Sequence, residues 1–295
     1  MKFFLLTIFA IAVVSAVEDY NAPEWQPIDW AKVIPADELP GFWENTVFAQ
    51  LAPRSNRERR IVGGHEATPH AHPYQVALIH QRVILATMCG GSVISPTVIL
   101  TAAHCPIGSQ SSTVITGAHN MNVIEPNQQR RTVQSAQYRI HANYNSQNLN
   151  NDIATMILLQ PLTLNQFVAV IPLAQANAGT FAGVTGQSIG WGRTVDGGAS
   201  SPVLRVVQNP IITNAVCAQT FGTAVVNAAV ICTDTTGGRG TCQGDSGGVL
   251  SVSQGSGRLQ VGITSFGSSA GCQAGFPAGY ERVSAQIGWI NSNMS

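Results

Sequence analysis

Three residues of the chain have the types and the order needed for nucleophilic acyl transfer. His104 lies in the motif TAAHC, Asp152 in NDIAT and Ser246 in GDSGG. A serine hydroxyl is a poor nucleophile at neutral pH, so it needs an adjacent base that accepts its proton. A neutral histidine can accept that proton and return it to a leaving group, while a carboxylate orients the imidazole. The order His, Asp, Ser therefore indicates a catalytic triad.

Each motif taken alone also has an ordinary structural explanation. A histidine beside a cysteine is usually structural, GDSGG fits a glycine-rich turn, and Asp152 fits a surface turn after the Asn-rich residues 143–151. The apolar residues 153–159 follow Asp152 at once, however, and they are typical of a strand that holds this carboxylate at its start. The three motifs together favour the catalytic interpretation.

Residues 61–295 resemble the chymotrypsin-like serine peptidase family. The resemblance rests on short motifs spread along this range: IVGG from Ile61, CGGS from Cys89, TAAHC, GWG at 190–192, CQGDSGG and SFG at 265–267. It implies an all-β fold of two six-stranded antiparallel β-barrels, near 61–165 and 166–280, with the active site in the cleft between them. It also implies a short helix after Thr213 and a C-terminal helix near 283–293.

The resemblance assigns roles to further residues. The backbone N–H groups of Gly244 and Ser246 are expected to form an oxyanion hole, in which one donor is worth about 3 to 4 kcal/mol. Ser265 is expected to support Asp152 with a hydrogen bond. The six cysteines by themselves indicate three disulfides without fixing their pairing. The pairs that the family implies are Cys89–Cys105, Cys217–Cys232 and Cys242–Cys272.

The specificity pocket that the resemblance implies is formed by Gly240, Thr241, Gly267 and Ala278. Gly240 stands where trypsin-like members have an aspartate, which opposes cleavage after Lys or Arg. Burying a large apolar side chain in an uncharged slot could supply about 2 to 3 kcal/mol. We therefore expect chymotrypsin-like cleavage after Phe, Tyr, Leu or Met. Elastase-like and broad collagenolytic specificities remain alternatives, although collagenolytic members have an acidic residue at the position of Ala278.

The N-terminal 60 residues have the composition of segments that are removed. Residues 1–16 have one lysine, an apolar run too short to span a bilayer and small residues at 14–16, which together predict a secretory signal peptide. Residues 17–60 end in a basic run and are predicted to be an activation propeptide. The family resemblance implies that cleavage after Arg60 frees the ammonium group of Ile61 to pair with Asp245. In the uncleaved chain we expect Asp245 to be held outward, because an unpaired buried carboxylate is costly.

Two properties of this leader remain open. Its basic run fits a trypsin-like activating protease and also a subtilisin-like convertase. Its aromatic residues fit either an inhibitor or folding aid that covers the enzyme, or a partly disordered leader. It contains no cysteine, so no disulfide should tether it after cleavage.

The composition excludes several classes of function. The 295 residues contain 15 basic and 15 acidic side chains, and only 10% of residues are charged. A net charge of zero gives no attraction to nucleic acid or to an anionic membrane.

We expect a secreted, digestive, monomeric enzyme without a cofactor, whose partners are substrates, the activating protease and protein inhibitors. No metal is expected, because the loop 117–128, which resembles a calcium loop, has Ala118 and Gln128 in place of acidic ligands. A catalytically inactive binding homologue is the rival class.

Overall fold

The structure is a computed structural model that describes residues 28–43, 46–47 and 64–295. The described ranges contain fifteen β-strands and two α-helices, which confirms the predicted all-β class. The strands are β1 (Val33–Pro35), β2 (His65–Glu66), β3 (Gln75–Gln81), β4 (Ala86–Ser95), β5 (Val98–Thr101), β6 (Ser111–Thr116), β7 (Gln129–Gln134), β8 (Tyr138–Ile140), β9 (Ala154–Ile157), β10 (Thr185–Gly190), β11 (Arg205–Ile212), β12 (Val230–Thr233), β13 (Val249–Gln254), β14 (Gly257–Phe266) and β15 (Ala278–Arg282). The predicted signal peptide and the predicted cleavage site between Arg60 and Ile61 lie outside the described residues.

The first barrel has the strand order β7-β6-β3-β4-β5-β9-β8. The strands at the two ends of this order, β7 and β8, follow each other in the chain and are joined by the 3-10 turn Ser135–Gln137. They therefore act as one bent strand that closes the sheet, so that the predicted number of six strands holds. One addition was not predicted: β1, from the leader, pairs in parallel with residues 86–88 of β4.

The second barrel has the strand order β10-β13-β14-β15-β12-β11, and the pairing of β10 with β11 closes the ring. The short strand β2 adds to the edge of β11 through His65 and Glu66. This strand precedes the first barrel in the sequence, so the predicted boundaries of 61–165 and 166–280 do not separate the two barrels completely.

One core runs through both barrels. Many of its buried side chains are consecutive along a strand, as in residues 98–100 of β5, so both faces of such a strand are covered. Its fully buried side chains include Leu78 and Ile99 from the first barrel, and Ile231 and Ile263 from the second. This shared core fixes the two barrels relative to each other, so residues at their junction have defined positions.

Both predicted helices are present. Helix α1, Asn214–Phe221, begins after Thr213, whose hydroxyl accepts a hydrogen bond from the Val216 N–H at 3.3 Å, as an N-cap does. Helix α2, Val283–Ser292, lies at the C-terminal end of the described chain. No helix within the described ranges combines the length and the apolar composition needed to cross a membrane.

Candidate active site

His104 and Asp152 are brought together by the pairing of β5 with β9. In this antiparallel ladder Thr101 lies opposite Ala154, so the residues just after β5 meet those just before β9. The disulfide Cys89–Cys105 joins β4 to the residue after His104, which fixes the turn further. The TAAHC and NDIAT motifs therefore lie side by side, because the end of β5 is next to the start of β9.

The His104–Asp152 pair is buried and fully connected. The Nδ1 atom of His104 lies 2.8 Å from Asp152 Oδ2, and the backbone N–H of His104 donates to Oδ1 at 3.0 Å. The Ser265 hydroxyl donates to Oδ2 at 2.6 Å, the contact expected from the sequence. Asp152 is 0% exposed and His104 is 2% exposed. This arrangement holds the imidazole in one tautomer, with Nε2 available to act as a base.

The electrostatic environment favours a protonated imidazole. Burial, the largest single influence, lowers the pKa of His104. The charge and hydrogen bond of Asp152, together with the charge of Asp37, outweigh burial and raise this pKa above its ordinary value. A base of this kind can accept a proton from a nucleophile and stabilise the resulting imidazolium.

Ser246 belongs to the second barrel, where it lies in the turn before β13. The next residue, Gly247, has φ +77° and lies so close to β5 that a Cβ atom there would be 2.2 Å from Thr101 Oγ1. A glycine is therefore required for the turn to reach the end of β5. No hydrogen bond joins Ser246 Oγ to His104 in the described part of the chain, where the Nε2 atom has Cys105 Sγ at 3.8 Å.

The expected oxyanion donors face an acidic side chain of the leader. Gly244 has φ +94°, a conformation that suits glycine. The carboxyl group of Asp37 is buried, which raises its pKa to about 6, while the charge of His104 and hydrogen bonding by the Gly244 N–H favour its ionised form. Asp37 also lines the concave site that contains Ser246, so this acidic group lies beside the expected oxyanion donors. Asp37 was not identified from the sequence, because no local motif marks it.

Asp245 differs from its prediction. We expected the uncleaved chain to hold its carboxylate outward, but it points inward and accepts the N–H of Gly192 at 2.8 Å and that of Cys242 at 2.9 Å. Desolvation raises its pKa to about 6, while these two hydrogen bonds oppose the shift. The expectation was wrong because two backbone donors and a raised pKa lower the cost of burying this group, which has no cationic partner among the residues that the structure describes.

Two of the four predicted pocket residues lie beside the nucleophile. Thr241 and Gly267 line a concave site together with Ser246, Phe266 and the leader residue Trp43. Gly240 lines a neighbouring cavity that also contains Asp245. Ala278, at the start of β15, is buried in the core.

A second buried acid, Glu281, contacts the catalytic aspartate and was also missed. Its Oε2 atom accepts the backbone N–H of Asp152 at 3.3 Å, and its Oε1 atom accepts the amide N–H of Gln286. Burial, followed by the charge of Asp152, raises the pKa of Glu281 to about 8. No sequence signal marks this residue, because Glu281 stands directly beside Arg282 in β15 and reads as an ordinary charged position.

The other predicted features have simple structural explanations. The described chain has the three disulfides Cys89–Cys105, Cys217–Cys232 and Cys242–Cys272. In the loop that resembles a calcium site, the carboxylate of Glu125 accepts the His119 N–H, and the guanidinium of Arg130 donates to the side-chain oxygen of Gln128. A buried cationic side chain at this position makes the loop a poor fit for a calcium ion.

Comparisons with known proteins agree with the geometry. Residues 61–290 match the profile of the trypsin family. The chain is 44% identical over 233 residues to brachyurin from Leptuca pugilator, covering 79% of this chain and 97% of that protein. It is 36% identical over 245 residues to a chymotrypsin from Phaedon cochleariae, covering 82% and 84%. The solved structure of HL collagenase superposes with a TM-score of 0.71 at 31% identity, covering 79% of this chain and 98% of that one. These similarities confirm the predicted resemblance: the chain belongs to the trypsin family of serine endopeptidases.

Proposed function

We propose that the chain is a secreted zymogen whose active form hydrolyses peptide bonds through an acyl-enzyme. In this mechanism His104 removes the proton of Ser246, Asp152 and Ser265 hold the imidazole, and the N–H groups of Gly244 and Ser246 bind the oxyanion. The supporting observation is the buried hydrogen-bond network of His104, Asp152 and Ser265, with Ser246 entering from the opposite barrel. The imidazolium then gives its proton to the leaving amine, and water hydrolyses the ester.

The assignment of the nucleophile is tested by reaction with diisopropyl fluorophosphate. After cleavage at Arg60, we expect one label on Ser246 and loss of peptidase activity. Ser246→Ala should fold, with its disulfides intact, but should neither react nor cleave peptides. A folded, activated wild-type protein that stays unlabelled would support the inactive binding homologue instead.

Activation is proposed to follow cleavage after Arg60. The support is a cavity beside Asp245, lined by backbone of Gly190 and Gly192, in which the new ammonium group of Ile61 could pair with the carboxylate. Arg60→Gln should block activation by any protease that cuts at this site, whereas Arg54→Gln is the matched control. Arg57→Gln distinguishes the two kinds of activator, since only a convertase that reads the whole basic run should be affected. Recovery of active enzyme with a different N-terminus would contradict this step.

The proposed specificity is cleavage after large apolar residues. Thr241 and Gly267 carry no charge, and the indole of Trp43 lies against the same site, which supports a pocket that accepts aromatic groups. A peptide library should therefore give cleavage after Phe, Tyr, Leu and Met. Cleavage restricted to Lys and Arg would overturn this proposal.

A designed variant tests the pocket wall. A Cβ atom added at Gly267 meets no heavy atom within 4 Å, so Gly267→Val should fold and narrow the site. Its preference should move from Phe towards Ala, whereas Gly257→Val, in the β13–β14 hairpin, should leave the preference unchanged. An unchanged preference in Gly267→Val would mean that substrate side chains bind elsewhere.

A broader specificity is the second candidate. The similarity to HL collagenase favours it, because that protein is named a collagenase. The same peptide library decides between the two: similar rates after apolar, small and basic residues would favour the broad enzyme.

Secretion and a digestive role are also part of the proposal, and they rest on the predicted signal peptide and on a domain whose described cysteines are all disulfide-bonded.

A further inference from the structure

The leader residues 30–43, here called the cleft segment, lie along the active site. The segment enters at the first barrel, where Val33–Pro35 pairs with β4. The indole N–H of Trp30 donates to the carbonyl of Met121 at 3.1 Å. The side chains of Trp30 and Val33 pack against an apolar cluster that includes Met88 and Trp191. This end of the segment is therefore held by backbone pairing and apolar contact.

The middle of the cleft segment places Asp37 in the concave site that contains Ser246. Asp37 is 7% exposed, and it lies close enough to His104 and the Gly244 N–H for both to favour its ionised form. The next residue, Glu38, forms an ion pair with Arg193, which is only 20% exposed. A carboxyl group in this site would compete with a substrate carbonyl for the oxyanion donors.

The end of the cleft segment covers the specificity side of the site. The ring of Phe42 lies 5.3 Å from that of His104 and 5.0 Å from that of Trp43. Both aromatic residues pack against a cluster that includes Leu149 and Phe266. Trp43 also lines the concave site that contains Ser246. Substrate side chains before the scissile bond would need this surface.

The direction of the segment is opposite to that of a substrate. With the pocket proposed above, a substrate runs from the Phe266 and Gly267 side, across Ser246, to the β4 side. The cleft segment begins at β4, passes Gly244 at Asp37 and reaches Phe266 last. Reversal of the chain exchanges the positions of the carbonyl and N–H groups. No peptide bond is then presented to Ser246 with its leaving group towards His104.

We propose that the cleft segment is a reversible, active-site-directed inhibitor of this enzyme, bound in the non-productive direction. This inference rests on the proposed function. It means that two things keep the precursor inactive: the missing Ile61 ammonium group and the cleft segment in the active site. Because the leader contains no cysteine, cleavage after Arg60 leaves it bound by noncovalent contacts alone. The released leader therefore inhibits the mature enzyme in trans until it is diluted or degraded.

The test uses the full chain cut at Arg60 and separated into the leader, residues 17–60, and the active enzyme. The leader is added back, and initial rates are measured with a chromogenic peptide. We expect competitive inhibition, in which the apparent KM rises while kcat is unchanged. Mass spectrometry should find residues 33–43 intact after many substrate turnovers.

Leader variants identify the residues that act. Asp37→Ala and Trp43→Ala should each weaken inhibition at least tenfold, measured as the inhibition constant. Lys32→Ala is the matched control, since Lys32 is exposed on the same segment, and it should change the constant less than twofold. Two leader variants are used because either precursor could fail to fold before cleavage.

The outcomes separate this inference from the proposed function. An enzyme that cleaves the chromogenic peptide but is not inhibited by the leader overturns the inference alone. Rapid cleavage of the leader within residues 33–43 also overturns it, because the segment would then be a substrate. An activated enzyme that neither cleaves peptides nor reacts with diisopropyl fluorophosphate overturns the proposed function itself.

Discussion

The two sides of the cleft differ in how completely their charges are paired. On the first-barrel side, the carboxylate of Asp152 has three hydrogen-bond partners: the backbone N–H and the imidazole Nδ1 of His104, and the hydroxyl of Ser265. On the second-barrel side, Asp245 and the leader residue Asp37 are enclosed, with their pKa values raised to about 6, and neither forms an ion pair within the described ranges. Under the proposed activation, this difference means that the base is already assembled in the precursor. The oxyanion site would still need the Ile61 ammonium group to arrive and Asp37 to leave.

The largest effect on catalysis is expected from a change to Asp152, on the first-barrel side of the cleft. Asp152→Asn should lower kcat of the activated enzyme by about four orders of magnitude, the size of the loss that removing this carboxylate causes in a serine protease triad. The amide cannot stabilise the imidazolium, and it favours the wrong tautomer of His104. Steady-state kinetics on a chromogenic peptide provide the measurement, and Asp234→Asn in a surface turn is the matched control. A loss smaller than tenfold would mean that the base does not depend on this carboxylate.

The next largest effect is on stability, and it should have opposite signs in the precursor and in the active enzyme. Asp245→Asn should cost the activated enzyme about 3 to 5 kcal/mol, because the Ile61 ammonium group would lose its partner. In the precursor the same change should be stabilising above pH 6. The pKa of Asp245 in the folded chain lies above its ordinary value, so the folded chain binds more protons than the unfolded chain between about pH 4 and 6. Its stability therefore falls as the pH rises through this range.

Urea unfolding of the precursor at pH 4 and pH 7.5 measures this difference. The wild type should lose up to about 3 kcal/mol between the two values through this group, and Asp245→Asn should lose less. Equal losses in both proteins would show that Asp245 is already paired with a cation in the precursor.

Glu281 is a third buried acid with a raised pKa, and it contacts the backbone of Asp152. Its pKa of about 8 in the folded protein, raised by burial and by Asp152, implies a stability that declines as the pH rises from about 4.5 to 8. Glu281→Gln should remove a decline of up to about 4 kcal/mol between pH 5 and pH 9 while keeping the hydrogen bond to the Asp152 N–H. Unfolding at pH 5 and pH 9 measures the effect, and Glu66→Gln, at an exposed position, is the control. A wild-type stability that does not change over this range would contradict the assignment.

The smallest effect on catalysis is expected from the loss of the Ser265 hydroxyl, which supports Asp152. Ser265→Ala removes the 2.6 Å hydrogen bond to Asp152 but leaves the contact with His104. We expect kcat to fall about tenfold, in line with about 1 to 1.5 kcal/mol for one hydrogen bond. The pH profile should also shift, because a less stabilised carboxylate changes the pKa of His104. A normal kcat with an unshifted profile would show that Ser265 fills space only.

Local sequence was sufficient for features that belong to short motifs. TAAHC and GDSGG identified His104 and Ser246, and the glycine required at 247 explains why the second motif is so restricted. The two barrels and the disulfides followed from the resemblance. These features share a property: each is determined by residues close together in the chain or by a fold common to the family.

The features that escaped prediction depend on contacts between distant segments. Asp37 lies far before His104 in the chain, in a leader whose sequence does not indicate which surface it covers. Glu281 is 129 residues away from Asp152, and only the closure of the second barrel brings the two together. The inward position of Asp245 depends on a balance between desolvation and two backbone donors, which residue types alone do not determine.

The central claim is that the base is ready before cleavage while access to Ser246 and its oxyanion site is not. The most direct test is the rate at which diisopropyl fluorophosphate labels Ser246 before and after cleavage at Arg60, with the leader removed in the second case. We predict labelling at least a hundred times faster after cleavage, and an intermediate rate when the leader is added back. Equal rates for the intact chain and the activated enzyme would contradict the account.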